Sequence, residues 1–159
     1  MSNIPMPRTR GPMIKDSPDH HDADLVLKLY DLRRETLMRV ARSALTGDFW
    51  PTSAAEAVAI VKPDHPNNLH FRQFTGYWEM AYSMARYGIV NPDYLADTSG
   101  EGLFVYAKFE PYLAELRAAG SPRYFINSEW IATQCEMGKA FMSGIRPRIA
   151  QMTAARRSA

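Results

Sequence analysis

The segment from Phe71 to Tyr87 constrains this chain more than any other. On a helix turning about 100° per residue, Phe71, Phe74, Tyr77, Trp78, Met80, Ala81, Met84, Ala85 and Tyr87 fall on one wide apolar arc. Arg72, Thr75, Gly76, Glu79, Ser83 and Arg86 share a polar strip of roughly a third of the circumference. A helix of that kind must be covered by neighbours on two or three sides. At about 1.5 to 3 kcal/mol for each large side chain buried, it predicts a central, aromatic-rich helix that dominates the stability of its bundle.

The rest of the sequence reads as helices in series. From Asp22 to Leu45, Leu25, Leu29, Leu32, Thr36, Val40 and Ala44 recur every three or four residues, which predicts one helix with Gly47 as its stop. Ser53-Ala54-Ala55-Glu56 fits a reciprocal cap on a short helix that ends before Pro63. Gly88 terminates the aromatic helix, and Asn91-Pro92 opens the next element. Gly100, Gly102 and Pro111 break residues 93–119 into short helices or one kinked helix. A last helix is predicted from Asn127 or Ser128 to Ser143, with Gly144 and Pro147 separating a frayed tail. No alternating run signals a strand. The expectation is an all-α, single-domain helical bundle of five or six helices: a flexible basic arm at 1–18, an all-α domain at 19–145, and a basic C-terminal tail at 146–159.

Candidate site residues come from the two long helices. Arg33 falls inside the apolar arc of the first, where an unpaired guanidinium would cost several kcal/mol. The expected partner is Glu79, with Glu129 and Glu136 as alternatives; snorkelling of the guanidinium to water is the simpler account. Tyr77, Trp78 and Tyr82 can line a ligand pocket whose polar anchor is Arg33 or Glu79, although aromatic residues at helical spacing are more often core. His20, His21, Asp22 and Asp24 superficially suggest a metal site, but carboxylates at a helix start are stabilised by its free amides. His65 and His70 do not share a helix face. Neither a metal nor a cofactor is implied, and no phosphate-cradling glycine loop, nucleophile elbow or H-E-x-x-H helix occurs. Cys135 reads as an inert core thiol, and one cysteine makes no internal disulfide.

Charge is uneven. Residues 1–15 and 139–159 hold eight of the 19 Lys and Arg and no acid, leaving 11 basic residues against all 17 Asp and Glu between them. Basic tails engage nucleic acid through phosphate contacts, but these tails lack interleaved aromatics and dense basic runs, so solubility or docking on a neighbouring subunit is the plainer reading. No apolar run reaches the roughly 18 to 20 residues of a membrane span, and no secretory leader opens the chain, so a cytoplasmic location is expected.

Tyr30-Asp31-Leu32-Arg33-Arg34-Glu35, Tyr77-Trp78-Glu79-Met80-Ala81 and Arg86-Tyr87-Gly88-Ile89-Val90 together resemble a bacterial family of uncharacterised, all-helical cytoplasmic proteins. The resemblance covers residues 25 to 140 and implies helices, with no activity, cofactor or catalytic residue attached. Nine methionines and eighteen aromatics (three Trp, eight Tyr, seven Phe) exceed what one small helical core readily hides. The leading functional expectation is therefore a non-enzymatic, self-associating protein-interaction module, a homo-oligomer with no membrane partner. The alternatives are a small-molecule-binding protein or enzyme with an interhelical pocket, and nucleic-acid binding through the tails.

Overall fold

A computed structural model of the chain describes residues 14–159. All regular structure among the described residues is helical. There are more helices than five or six, because two segments that read as continuous are broken.

The first break falls at Arg33–Glu35. Helix α1 (His20–Leu32) begins at Asp19, whose carboxylate accepts the Asp22 N–H, and α2 (Thr36–Ser43) begins afresh at Glu35. Glu35 is extended and its side chain accepts the Met38 N–H, so a local carboxylate outcompetes helix continuation. The break changes which face turns inward. Leu29 is buried on α1, Met38 and Ala41 on α2, and Ala44 and Leu45 on the π-helical turn at 44–48 that follows. Leu32 and Val40, which a single helix would have pointed at the core, are instead about half exposed at 50% and 49%.

Helix α3 (Ala54–Ala59) carries the expected reciprocal cap, displaced by one residue. The Ser53 side chain accepts the Glu56 N–H, while the Glu56 carboxylate accepts the N–H of Thr52 at 2.8 Å. Helix α4 (Asn68–Arg86) is the aromatic helix, ended by Gly88 at φ 74°. It buries Phe71, Phe74, Trp78, Ala81, Tyr82 and Ala85 and packs against α2 and the later helices α5 (Pro92–Thr98), α6 (Glu101–Phe109) and α8 (Ile126–Gln134). Its apolar arc is narrower than the sequence predicts, since Met80 and Tyr87 are half exposed. Asn91 caps α5 by accepting the Tyr94 N–H at 2.8 Å, and α7 (Leu113–Ala119) follows a 3-10 turn at 110–112.

The second break is at Cys135, which is extended between α8 and α9 (Glu136–Arg157). The predicted helix from Asn127 or Ser128 to Ser143 is thus two helices folded back on each other. A Cβ on Gly138 would lie 1.9 Å from the Ile131 carbonyl oxygen, so only glycine permits this approach.

Nor does the chain fray after Ser143. Helix α9 continues through Gly144 and Pro147 to Arg157, which corrects the reading of 146–159 as a tail. Pro147 and Ser143 lie on the exposed side, where the carbonyl that proline cannot bond meets water and Gly144 leaves open space. On the other side Met142, Ile145 and Ile149 are buried and hold the helix down. The Trp50 indole donates to Thr153 at 2.9 Å, and Arg157 donates to the Thr52 carbonyl and the Tyr112 hydroxyl. Of the expected arm at 1–18, residues 1–13 lie outside the described residues; Lys15 binds Asp19 and Asp22 at 2.8 and 2.7 Å.

Candidate functional site: the face of α1, α2 and α4

The expected ion pair between Arg33 and Glu79 does not form. Glu79 points to the N-terminus of α8, where it accepts the N–H groups of Asn127 and Ser128 at 2.8 and 2.9 Å and the Ser128 hydroxyl at 2.5 Å. The cause lies in Phe125, the residue before α8, which is left-handed at φ 59° and has no side-chain oxygen to cap the helix. A carboxylate from α4 therefore supplies the cap. Burial pushes the Glu79 carboxyl up from its usual range, and its hydrogen bonds with Ser128 and the Asn127 amide oppose that shift. The alternative partners are engaged as well, Glu129 with Arg117 at 2.5 Å and Glu136 with Lys139 at 3.1 Å.

Tyr82 plays a matching part for α6. Its buried hydroxyl donates to the Ser99 carbonyl at 2.7 Å and accepts the Leu103 N–H at 3.1 Å. Gly102 makes this approach possible, because a Cβ there would lie 2.7 Å from both Trp78 and Tyr82 ring atoms.

Arg33, Tyr77 and Trp78 do come together. They line a pocket of about 300 Å³ between α1, α4 and the Thr98–Ser99 corner. The break after α1 places Arg33 at the edge of the apolar face, with its guanidinium carbon 4.9 Å from the Tyr30 ring centre and 5.9 Å from that of Trp78. Cation–π contact replaces the predicted salt bridge. The Tyr77 hydroxyl donates to the Leu29 carbonyl, and burial pushes it up to about 12. The Trp78 indole N–H is buried without a hydrogen-bond partner.

Beside this pocket runs a shallower groove of about 550 Å³ between α2 and α4, lined by Leu32, Met38, Leu69, Gly76, Tyr77 and Met80 among others. Leu32, Leu69 and Met80 are 50%, 56% and 50% exposed. Two neighbouring depressions share its residues or continue along α2, one through Leu32 and Glu35 to Arg34 and Arg39, the next from Arg39 to Val40 and His70. The apolar groove thus continues along α2 into a charged depression at Asp31, Arg34, Glu35, Arg39 and Arg42, with the exposed Val40 beyond it. Gly76 stands open on its α4 wall, with nothing within 4 Å of a built Cβ.

The remaining polar candidates have structural partners. Asp22, fully buried, binds Lys15 and accepts the Asn91 N–H at 3.2 Å, which ties α1 to the start of α5. Among the described residues no group of three or more His, Cys, Asp or Glu is placed to hold a metal. Cys135 is buried, accepts the Gly138 N–H, and its thiol is pushed up to about 11 by burial. Sequence reasoning missed Lys108, 2% exposed on α6. Its ammonium donates to the carbonyls of Leu45 and Phe49 and lies 4.6 Å from the Trp50 ring, with Arg156 on the same ring at 4.2 Å. Burial, with a smaller contribution from Arg156, lowers it to about 7. The available signal was a lone cation inside the apolar run Gly102–Phe109.

Residues 18–135 match the model of the DUF4760 family, a domain of unknown function. The chain belongs to that family. The match starts just before the Asp19 cap and stops at Cys135, so α9 lies outside the matched DUF4760 region although it packs on α5, α6 and α8. No curated protein and no solved structure matches the chain. No helix among the described residues of this DUF4760 chain is long and apolar enough to cross a membrane.

Proposed function

We propose that this DUF4760 chain is a self-associating interaction module in which two copies meet across the groove between α2 and α4. In this reading α4 is the centre of the bundle, packed on the core and on α2, with the outer edge of the α2–α4 groove left for the partner. The observation that carries it is the groove's exposed apolar lining, Leu32, Leu69 and Met80, large side chains that a lone subunit leaves about half in water.

Two features favour a second copy as the occupant. Asp31, Arg34, Arg39 and Arg72 border the face, are exposed, and make no ion pair with a described residue. A two-fold arrangement sets one patch against itself, so a face carrying both signs can pair acid with base across the axis. Gly76 is the second. A glycine inside a helix costs about 1 kcal/mol relative to alanine, and no packing within the subunit requires it. On the wall of an apolar groove, it leaves room for the backbone of an incoming helix.

Nucleic-acid binding through the C-terminal segment has less support. Arg146 is held by Glu110 at 2.8 Å and Arg157 by Thr52, while Arg156 stacks on Trp50. The test is substitution on the groove. Gly76→Trp fills it without touching the core, and Met80→Glu places a charge in it; each is expected to weaken self-association at least tenfold with the melting temperature of the subunit preserved. Unchanged association in both variants would refute the proposal.

A further inference from the structure

The pocket between α1 and α4 is a separate matter from the groove, with Tyr77 as their shared wall. Two of its lining groups lack the partners their chemistry calls for. Arg33 has two aromatic neighbours and no carboxylate among the described residues. Trp78, 2% exposed, holds the one buried side-chain nitrogen or oxygen among the described residues that has no hydrogen-bond partner.

We propose that this pocket binds a small monocarboxylate with an apolar body, the carboxylate on the guanidinium of Arg33 and the body against Val26, Leu29 and the rings of Tyr77 and Trp78. The guanidinium carbon lies 4.9 and 5.9 Å from the Tyr30 and Trp78 ring centres, and a guanidinium held only by aromatic neighbours keeps its N–H groups for a carboxylate, which it can bind through two parallel hydrogen bonds. The volume, about 300 Å³, sits at the small end of ligand sites and suits a single ring or a short chain. A single cation in a mostly apolar lining selects a monoanion over a phosphate, whose second charge would be left without a partner. Thr98 and Ser99 stand at the far corner as polar groups for a substituent.

Benzoate and hexanoate are the probes, with benzamide and inorganic phosphate as controls, read by tryptophan fluorescence and thermal shift on the full chain. The expected result is a saturable fluorescence change and a raised melting temperature with at least one carboxylate and neither control. Arg33→Met, which keeps the stem and removes the charge, is expected to weaken that binding at least tenfold. Val26→Trp, which fills the pocket from α1, should abolish it even if the arginine variant folds poorly. Met80→Glu, directed at the groove, should bind the carboxylate as the unaltered chain does. The absence of a saturable response to either carboxylate, or equal binding in the Arg33→Met and Val26→Trp variants, would overturn the assignment.

Discussion

Lys108 shows how far a single side chain can depart from its sequence context. It interrupts an apolar run, yet it faces inward because the carbonyls of Leu45, inside the 44–48 turn, and Phe49, just after it, need donors and the Trp50 ring offers a π-face. Its value near 7 when folded lies below the ordinary 10.5, so between these limits the folded chain binds fewer protons than the unfolded one. Stability therefore rises with pH above about 7, by up to about 1.4 kcal/mol per pH unit. Chemical denaturation between pH 7 and about 7.5, roughly a unit below the ordinary thiol value of about 8.5, should show this slope. The slope should be smaller in Lys108→Met, and equal slopes in the two proteins would contradict the placement of the charge. Arg33 was legible as an anomaly and misassigned in its partner. The wheel put it among apolar residues correctly, but the helix ends at Leu32, and aromatic faces took the place of a carboxylate.

At the level of elements, the caps with a local chemical signature were legible: Ser53 with Glu56, Asn91 before Pro92, and Gly88 after α4. The two breaks were not. Glu35 and Cys135 cap the following helices with their own side chains, but neither residue type in mid-helix signals a break, and burial of Met38 and Ala41 on one side and of Gly138 and Met142 on the other selects it. The same holds for α9, which sequence rules ended at Gly144 and Pro147 and which burial of Ile145 and Ile149 carries onward. Glu79 is the clearest case of one element completing another, since α8 has no capping side chain of its own. Glu79→Ala leaves the Asn127 and Ser128 amides without their acceptor and should lower the unfolding free energy by about 2 to 4 kcal/mol in a denaturant titration. Ser128→Ala, which keeps both amide bonds to the carboxylate, should cost less than half as much. A loss under about 0.5 kcal/mol for Glu79→Ala would mean that the α8 terminus is satisfied by water.

For the molecule as a whole, the all-α class followed from helical periodicity and the want of alternation, and the aromatic segment is helical from Phe71 to Arg86 with Phe74 and Trp78 buried at 1% and 2% exposure. The apolar surplus that pointed to association could be read from composition, but not its location. That location depends on the break at 33–35, which turns Leu32 outward beside Leu69 and Met80 and leaves Val40 exposed further along α2. The candidate site was half legible for the same reason: Arg33, Tyr77 and Trp78 converge, whereas Glu79 and Tyr82 are taken up in holding α8 and α6. The claim on which the functional account turns is that a lone subunit leaves this face uncovered and a second copy covers it. Sedimentation velocity across the micromolar range measures that directly. The account predicts a weight-average mass climbing with concentration toward twice that of one chain, and a single species of one chain's mass at every concentration would contradict it.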